Sequence, residues 1–510
     1  MPDQSVFDLL RSDESLVVIE APAGCGKTFQ GAEYAHDIAP TLGNGRMLIL
    51  THTNAACDVF GDRTRFISGN AVEIRTIDAL ICQIAGAYHK VLDLPPDPTV
   101  WAYTHNGFSE IAARVAAFLQ KNPVVPEALA RRYPIIVCDE HQDASPDHHQ
   151  IVMAIHGQGA KLRIFGDRMQ SIYESNAKAA ERHRARWEAL VASAAHDELD
   201  QPHRWTKDAK GCSDLGNWVL SARQALLANE PLDLTSGLPA SIKVIAAENI
   251  SPNYGGYRVG WPERKPLDDH LNGHEELFVL ASGNELVRSL RSFWNRKVPI
   301  WEGHTRDALS ILLTDIQSVD GNAVRAAEAL TRFMSSTAKG FTASTHGNIL
   351  KAEIECNCGK TRKGKPGNIQ GLARMLLAEP NHLGISKAIA EIDQFIKSSA
   401  AGFSDVKVDL MREFWEAQRL AQYEDASKGY AEITMRRSVI RPKPLPKTLS
   451  TVHKAKGLEC SNTMIMHCDR ASFGNTIYGR CKLYVALSRA KSSLVIVLPE
   501  TNPSLLFKLP

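Results

Sequence analysis

The stretch LVVIEAPAGCGKT, residues Leu16 to Thr28, decides the fold. Its apolar start, Leu16 to Ile19, is typical of a buried strand, and a helix is predicted from Thr28 to Ala39. Small residues between the two allow backbone N–H groups to close around phosphate oxygens. Gly24 and Gly26 suit this loop because a Cβ would block that approach. The alternative is a turn of small residues without phosphate, which the flanking strand and helix disfavour.

In such a loop the lysine reaches the β- and γ-phosphates of ATP and the next hydroxyl holds Mg²⁺. The sequence therefore predicts these roles for Lys27 and Thr28, and the helix N-terminus adds a positive dipole. Ala21 stands where the common motif has its first Gly. The residues predicted to surround the phosphates are Ala21, Ala23, Gly24, Cys25, Gly26, Lys27 and Thr28.

A second apolar run, Ile135 to Cys138, predicts a parallel strand, and the acidic sequence DEHQD follows it at Asp139 to Asp143. A carboxylate at the tip of such a strand, beside a P-loop, is where the Mg²⁺-binding Asp lies. We therefore assign Mg²⁺ binding to Asp139 and the role of general base for the attacking water to Glu140. A solvated acidic turn is the alternative interpretation.

Three segments further along the chain carry polar or charged residues that could also contact ATP or its surroundings. GDRMQSIY at Gly166 to Tyr173 contains Gln170, which could sense the γ-phosphate. LYVALSRA at Leu483 to Ala490 contains Arg489, which could complete the ATP site from the far end of the chain. TLSTVHKAKGLE spans Thr448 to Glu459. Further strands are predicted at Leu162 to Phe165, Leu277 to Ala281 and Leu494 to Leu498.

Together, these motifs resemble those of the UvrD/Rep/PcrA-type superfamily 1A DNA helicases. LILTHTNAA at Leu48 to Ala56 resembles the family's first DNA-contacting motif. EIRTIDAL at Glu73 to Leu80 resembles the second, with Asp78 where a His is usual. LDQPHRW at Leu199 to Trp205 resembles the segment whose arginine reaches the γ-phosphate. The matches follow the family's order over nearly the whole chain.

The resemblance implies roles for individual residues. Arg204 and Arg489 match the two arginines of the second motor domain, and Glu459 matches a ribose contact. His203 lies where the family usually has a Tyr stacking on adenine, and Gln4 is the candidate adenine-reading glutamine. The implied catalytic residues are Lys27, Glu140, Gln170, Arg204 and Arg489, and the implied nucleotide contacts outside the P-loop are Gln4, His203, Gly457 and Glu459.

The resemblance also implies contacts with single-stranded DNA. Hydroxyls and amides at loop tips suit phosphate contacts, which carry no sequence information. RNA therefore stays open as an alternative strand. The candidate contacts are Thr51, Thr53, Asn54, Thr76, Thr451, His453 and Lys454.

The fold expected is α/β, with two RecA-like motor domains, each a parallel sheet flanked by helices, and two helical insertions. Residues 1–80 and 131–195 would form motor domain 1A, with insertion 1B at 81–130. Residues 196–300 and 440–510 would form motor domain 2A, with the mostly helical insertion 2B at 301–439. A surface loop is predicted near 250–266.

The composition is that of a large globular enzyme. Of its 510 residues, 44% are hydrophobic and 23% charged, and the net charge is only +2. A nucleic-acid track must then be a local groove rather than a basic face. No apolar run approaches the ~20 residues of a membrane span. The start, MPDQSVFDLL, lacks the features of a signal peptide, and the 10 scattered cysteines fit reduced thiols, so a cytoplasmic protein is expected.

Two functions follow from these features. The first is an ATP-dependent helicase or translocase, 3′→5′ by resemblance, on single-stranded or 3′-tailed duplex DNA in repair or antiviral defence. The second is a DNA-sensing ATPase that regulates a partner nuclease, as in Gabija-like systems. It gains weight because Glu174, Ser175 and Asn176 follow Tyr173, where the family has a further base-stacking aromatic.

Overall fold

The computed structural model describes residues 3–67, 70–105, 107–174, 176–250, 256–303, 306–438 and 443–509. Ser175, which bears on the missing aromatic, lies outside these residues.

A six-stranded parallel sheet is formed by strands from the first 200 residues of the chain. Its strand order is β3-β2-β4-β5-β1-β6. Strands β1, β2 and β4 are buried along their whole length, as expected for a parallel sheet covered on both faces. The strands are β1 (Leu16–Glu20), β2 (Met47–Thr51), β3 (Val72–Thr76), β4 (Ile135–Cys138), β5 (Lys161–Gly166) and β6 (Ala195–Glu198).

A second parallel sheet, with five strands in the order β12-β9-β13-β14-β8, is formed by strands from later in the chain. Two short strand pairs, β7 with β15 and β10 with β11, lie outside both sheets. The strands are β7 (Leu232–Asp233), β8 (Ile242–Ala246), β9 (Leu277–Ala281), β10 (Ala338–Lys339), β11 (Lys407–Val408), β12 (Lys447–Thr451), β13 (Cys460–Met466), β14 (Ala490–Leu498) and β15 (Phe507–Lys508).

Helices occupy most of the remaining described chain. Those up to the second sheet are α1 (Gln4–Arg11), α2 (Lys27–Ile38), α3 (Asn54–Thr64), α4 (Ile77–Ala87), α5 (Pro98–His105), α6 (Phe108–Lys121), α7 (Val124–Arg132), α8 (Pro146–His156), α9 (Ala177–Ala192), α10 (His203–Thr206) and α11 (Ser213–Leu227). The later ones are α12 (Trp261–Gly273), α13 (Asn284–Phe293), α14 (Asp307–Gln317), α15 (Ala323–Thr337), α16 (Asn348–Glu355), α17 (Gly364–Ala378), α18 (His382–Lys397), α19 (Met411–Arg419), α20 (Ala426–Ser438) and α21 (Ile477–Leu487).

The predicted α/β class, with parallel sheets flanked by helices, is confirmed. Residues 251–255 of the predicted surface loop near 250–266 lie outside the described part of the chain, and the last part of that prediction is wrong, because α12 begins at Trp261. Pro262 lies in the first turn of α12, where its missing N–H costs no helical hydrogen bond. The Glu263 carboxylate accepts the backbone N–H of Gly260 at 3.3 Å, which closes the helix start.

The chain forms two compact units. The first comprises Met1–Pro98, Phe108–Trp301 and Lys443–Pro510 and contains both parallel sheets. The second comprises Thr99–Gly107 and Glu302–Pro442, is mostly helical, and has its own core of buried apolar side chains. The finer division of the chain into domains 1A, 1B, 2A and 2B stays a prediction.

The parallel arrangement of the first sheet determines where its loops lie. Strands β1, β4 and β5 are neighbours in parallel pairs, so their carboxyl ends lie at the same edge. Loops at that edge of an α/β sheet are where ligands bind. The P-loop, the DEHQD turn and the GDRMQSIY segment all follow these strand ends. Among the described residues, no helix is long and apolar enough to cross a membrane.

Candidate active site

The P-loop has the backbone conformation that its glycines predict. Gly24 has φ +79° and Gly26 has φ +86°, both in the left-handed region that favours glycine. A Cβ on Gly24 would lie 2.7 Å from the Trp205 ring, and one on Gly26 would lie 2.9 Å from Cδ2 of His203. The carbonyl of Gly24 also accepts the backbone N–H of Arg204 at 3.0 Å. The loop is therefore packed directly against α10.

Lys27 brings the P-loop and the DEHQD turn together. It begins α2, and its Nζ lies 3.2 Å from Oδ1 of Asp139 and pairs with Oε1 of Glu140. Burial would lower the pKa of Lys27, but the two carboxylates outweigh it and raise the pKa above its usual value. The side chain is therefore held as a cation. Thr28 follows it on α2 and is half-buried.

The two carboxylates of the turn differ in their environment. Burial raises the pKa of Asp139, and Lys27 acts against that shift. Burial would also raise the pKa of Glu140, but Lys27 and Lys456 outweigh it and lower this pKa to about 2. Glu140 is thus ionised at neutral pH. Oδ1 of Asp139 is buried and accepts no well-aligned hydrogen bond from the described residues, which suits a ligand for a cation.

Arg204 joins the P-loop to two segments of the second sheet. Its Nε lies 2.7 Å from Oε2 of Glu459, and its Nη1 donates to the carbonyl of Ser488 at 2.7 Å. Glu459 also lies 3.9 Å from Nζ of Lys491. Three predicted site residues, Gly24, Arg204 and Glu459, are therefore linked in one chain of contacts.

Arg489 is buried in a setting of backbone carbonyls. Its Nε donates to the carbonyl of Val485 at 2.9 Å and its Nη1 to that of Leu458 at 3.0 Å. Its Nη2 donates to Oγ of Ser488 at 2.7 Å. Among the described residues it forms no ion pair with a carboxylate. Burial, with help from Arg204, lowers its pKa to about 10, so the guanidinium stays charged at neutral pH.

Two aromatic residues connect the P-loop and α10 to elements of the second sheet. The Tyr484 hydroxyl of α21 accepts the backbone N–H of Ala23 at 2.9 Å. The indole N–H of Trp205 donates to the carbonyl of Ala490 at 2.7 Å. Both side chains are buried. Neither side chain was predicted from the sequence to take part in the site. The Tyr484 hydroxyl, on the otherwise apolar face of a helix, was a usable signal.

Gln170 and Lys456 connect the third strand end to the DEHQD turn. The Gln170 side chain donates to Oδ2 of Asp167 at 3.0 Å. Nζ of Lys456 donates to both carboxylate oxygens of Asp143, at 2.6 and 2.7 Å, and to the carbonyl of Gln170 at 2.7 Å. Lys456 was not selected from the sequence, because nothing local distinguishes it from the nearby Lys454.

On the predicted adenine side of the site, the residue that contacts His203 is Asp3 and not Gln4. Gln4 is exposed on α1, and its amide donates to Asp8 at 2.8 Å. Asp3 is the residue that contacts His203, with Oδ2 2.8 Å from Nε2. Gly457 has φ +79° and lies in open space, two residues before Glu459.

The candidate strand contacts of the first sheet lie together. Thr51 and Thr76 end the neighbouring strands β2 and β3 and are paired in register. Thr53 caps α3 and Thr76 caps α4, where each hydroxyl accepts a backbone N–H of the first turn, at 3.2 and 3.1 Å. Asn54 is exposed as the first residue of α3. Two helix N-termini therefore lie side by side, an arrangement that favours phosphate.

The candidate contacts of the second sheet follow β12. The Thr451 hydroxyl accepts the backbone N–H of Lys454 at 3.2 Å. Nε2 of His453 lies 2.9 Å from the carbonyl oxygen of Ile172 and 3.0 Å from the hydroxyl of Tyr478. Burial lowers the pKa of His453, so it is neutral at pH 7 and serves as a hydrogen-bonding group rather than a cation.

Tyr173 presents an exposed ring beside these residues. It is 62% exposed, and its ring centroid lies 6.5 Å from that of His453. Nζ of Lys456 lies 4.8 Å from the Tyr173 centroid, within the range of a cation–π contact. An aromatic surface is thus present at Tyr173 itself.

A buried ion network outside the predicted site joins α11 to three strand ends. Nη2 of Arg223 lies 2.5 Å from Oε1 of Glu20, Nε 3.1 Å from Oδ1 of Asp167, and Nη1 2.5 Å from Oε1 of Glu198. Arg168 adds a second contact to Glu20 at 3.0 Å. Glu20 directly precedes the P-loop, so the network anchors the strand end from which the loop begins.

Comparisons with known proteins agree with this geometry. Residues 97–181 match the model of the UvrD/REP helicase N-terminal domain, and residues 415–498 match that of the viral superfamily 1 RNA helicase core domain. No curated protein matches the chain. Helicases of these families hydrolyse ATP, usually with Mg²⁺, and bind nucleic acid. The two matches, together with the two parallel sheets and the P-loop, support a UvrD-like superfamily 1 helicase.

Proposed function

We propose that the chain is an ATP-driven translocase on single-stranded DNA, moving 3′→5′ and acting in DNA repair or antiviral defence. One observation carries the proposal. Residues near the ends of strands from both sheets lie around one P-loop. Lys27 pairs with Asp139 and Glu140, and the backbone N–H of Arg204 donates to the loop backbone. A site built from two sheets can respond to movement between them, which is what a motor requires.

The P-loop residues suit the phosphates of ATP. Lys27 is a buried cation beside two carboxylates, and a triphosphate offers it stronger anionic partners. Thr28 and Asp139 would hold Mg²⁺, and the buried Oδ1 of Asp139 fits that role. When bound, Mg²⁺ supplies charge neutralisation on the phosphate oxygens.

Glu140 is the proposed general base. Its pKa of about 2 keeps it ionised, so it can accept a hydrogen bond from the attacking water and orient it. The Lys27 ammonium that lowers this pKa is the group that phosphate would attract, and its withdrawal would make Glu140 more basic. Gln170 would sense the γ-phosphate, and its carbonyl contact with Lys456 links it to the same turn.

Arg204 and Arg489 are the proposed cationic residues for charge that develops on the transferred phosphoryl group. Arg489 has no carboxylate partner in the described part of the chain, so its charge is not already neutralised by an ion pair. Three hydrogen bonds to Val485, Leu458 and Ser488 hold it in place. Such preorganisation avoids rearrangement during the reaction.

The proposed track runs over the carboxyl ends of β2, β3 and β12. Thr53, Asn54 and Thr76 would contact phosphates at two helix N-termini, and Thr451, His453 and Lys454 would contact them from the second sheet. Tyr173 could stack on a base, which is worth ~1–3 kcal/mol. Phosphate contacts do not distinguish DNA from RNA, and the second family match is to an RNA helicase domain.

The segment that follows β12 offers a route for coupling. It carries the three proposed strand contacts Thr451, His453 and Lys454, and two residues later Lys456 bonds to Asp143 of the DEHQD turn. A strand that shifts this segment would shift Lys456 and, through it, the turn that holds Glu140. Nucleic acid is therefore expected to stimulate ATP hydrolysis.

A second candidate is a DNA-sensing ATPase that regulates a partner nuclease. It retains the whole ATP site and the strand contacts but needs no processive unwinding. Tyr173 is followed by Glu174, Ser175 and Asn176, none of which is aromatic. Fewer aromatic rings are therefore present to stack on bases. This candidate predicts strong stimulation by DNA without strand displacement.

One assay separates these possibilities. ATP hydrolysis is measured without nucleic acid, with single-stranded DNA and with single-stranded RNA, followed by displacement assays on 3′-tailed and 5′-tailed duplexes. The proposal expects stimulation by DNA and displacement of the 3′-tailed duplex alone. Equal rates with and without DNA and RNA would contradict a translocase. Stimulation without displacement would favour the regulatory ATPase, and co-purification from the native host would then identify a nuclease partner.

A further inference from the structure

The helical second unit contains a pocket with an unusual concentration of arginines. It is a cavity of about 220 Å³ formed by the start of α14, by α19 and by α20. Among the described residues, its lining consists of Arg306, Arg412, Glu416, Arg419, Ile433, Arg436 and Arg437. Five guanidinium groups and one carboxylate therefore line the described part of this cavity.

The floor of this arginine pocket is buried. Nε of Arg306 lies 2.9 Å from Oε2 of Glu416, and Nε of Arg437 lies 3.1 Å from Oε1 of the same carboxylate. The side chains of Arg306 and Arg437 are 2% and 8% exposed. One carboxylate is thus shared by two buried cations. Burial and the neighbouring Arg306 lower the pKa of Arg437, as expected where positive charges crowd together.

A purely structural role accounts for the buried residues of the pocket, Arg306, Arg437 and Glu416, but not for Arg412 and Arg419 at its edge. The shared Glu416 ties the three helices together, which explains Arg306 and Arg437. Arg412 and Arg419, seven residues apart on α19, also face the cavity, and their side chains form no ion pair or hydrogen bond with the residues that the structure describes. Within the described part of the chain, the one ion pair of Arg436 is with the half-buried Glu432 on its own helix.

The lining specifies the chemistry of a ligand. Guanidinium groups form paired hydrogen bonds with phosphate oxygens. No aromatic side chain lines the cavity within the described chain, so nothing there would stack on a base. The volume lies below the ~300–1,000 Å³ of pockets that enclose a whole organic ligand. A compact group with several negative charges therefore fits better than a complete nucleotide.

We propose that the arginine pocket of the second unit binds a compact phosphoryl anion, of which pyrophosphate is the simplest example. The anion would draw the side chains of Arg412 and Arg419 onto its oxygens. It could come from free pyrophosphate or polyphosphate, or from phosphate groups carried on a nucleic-acid strand. The site is separate from the ATP site in sequence and in unit, and does not depend on the function proposed above.

The test is calorimetric titration of the full chain with pyrophosphate. Every variant also carries Lys27→Ala, which impairs phosphate binding at the P-loop. Any pyrophosphate binding that is measured therefore does not come from the ATP site. The test variant adds Arg412→Gln and Arg419→Gln, both exposed positions. The matched control adds Arg325→Gln and Arg332→Gln, two arginines of α15 in the same unit that do not line the pocket.

The proposal expects saturable binding of pyrophosphate that weakens at least tenfold in the test variant and stays unchanged in the control. Absence of saturable binding, or equal affinity in the test and control variants, would overturn it. Binding of an oligoglutamate peptide in place of pyrophosphate would also overturn it, in favour of an acidic protein partner.

Two further arms identify the source of the anion. If the strand supplies it, single-stranded DNA binds less tightly to the test variant and pyrophosphate competes with DNA. If a free anion supplies it, DNA affinity is equal in all variants while pyrophosphate binding is lost. Either result supports the phosphoryl chemistry. Equal thermal unfolding of test and control variants shows that the fold is intact.

Discussion

Replacing Arg223 by methionine should destabilise the fold measurably. Arg223 is fully buried on α11, and its guanidinium contacts the carboxylates of Glu20, Asp167 and Glu198. Removing one partner of a buried ion pair costs about 3–5 kcal/mol, because the other charge is left without compensation. Methionine keeps the apolar stem of the side chain and removes the guanidinium group with its charge and hydrogen bonds.

The remaining contacts place the cost near the lower end of that range. Glu20 keeps Arg168 at 3.0 Å, Asp167 keeps the Gln170 amide at 3.0 Å, and Glu198 is 35% exposed and can hydrate. Glu20 can also bind a proton, which from an ordinary Glu pKa costs at most about 3.7 kcal/mol at pH 7. We therefore expect a loss of about 3 kcal/mol and a fall in Tm on the order of 5 °C.

The loss should depend on pH. Burial already raises the pKa of Glu20, and without Arg223 it rises further. A group whose pKa is raised by folding stabilises the fold below its unfolded pKa, and this contribution disappears as the pH rises through its folded pKa. The deficit of Arg223→Met relative to wild type should therefore be larger at pH 8 than at pH 5.5.

The assay is thermal unfolding of the full chain at both pH values, with Arg184→Met as the control. Arg184 is also a helical arginine paired with a carboxylate, Glu188 at 2.7 Å, but on the surface, where such a pair is worth about 0.3–0.5 kcal/mol. Equal shifts of Tm in the two variants, or a deficit independent of pH, would refute the reasoning.

Three further predictions concern the candidate site. Arg489→Ala should reduce the rate of ATP hydrolysis by about 10³-fold or more while ATP still binds, and Arg489→Lys should recover only part of it, because a lysine cannot reproduce the three anchoring hydrogen bonds; single-turnover hydrolysis checks both. Burial, opposed by Lys456, raises the pKa of Asp143 to about 6, so its ion pair with Lys456 should be lost as the pH falls through 6. The rate of ATP hydrolysis by the wild type should fall as the pH drops through 6, whereas Asp143→Asn should give a low rate that does not depend on pH. Because folding raises the pKa of Asp143, this group favours the folded state at low pH. The fall in rate should therefore occur without loss of stability. Gly26→Ala should weaken ATP binding at least tenfold, since the new Cβ meets His203 at 2.9 Å and φ +86° strains any other residue; equilibrium binding of a fluorescent ATP analogue measures this.

Much of the fold was predictable because buried parallel strands are continuous apolar runs. The runs at Ile135–Cys138 and Leu277–Ala281 match the observed strands residue for residue. The helix predicted from Thr28 to Ala39 is observed one residue earlier, at Lys27–Ile38. Short strands such as Leu232–Asp233 were not predictable, because two residues carry no periodic signal and their pairing with Phe507–Lys508 is set by the tertiary fold.

The candidate site was predictable where its chemistry is local and hidden where it depends on distant pairing. The P-loop and the DEHQD turn are each continuous in sequence, and the Lys27 contacts follow from their juxtaposition. The ion pair of Lys456 with Asp143 joins residues more than three hundred positions apart, and no local pattern selects one lysine of the segment over another. The loop expected after residue 260 failed because prolines indicate a helix start as well as a loop.

The most direct test of the central claim is a paired measurement on Glu140→Gln. The substitution keeps the size of the side chain and its ability to accept a hydrogen bond, but removes the carboxylate that is ionised at neutral pH. ATP affinity is measured by equilibrium titration and hydrolysis by phosphate release with single-stranded DNA present, each against the wild type. The account predicts ATP binding within a few-fold of the wild type and hydrolysis lowered by about 10²-fold or more. Hydrolysis near the wild-type rate would contradict the assignment of the site.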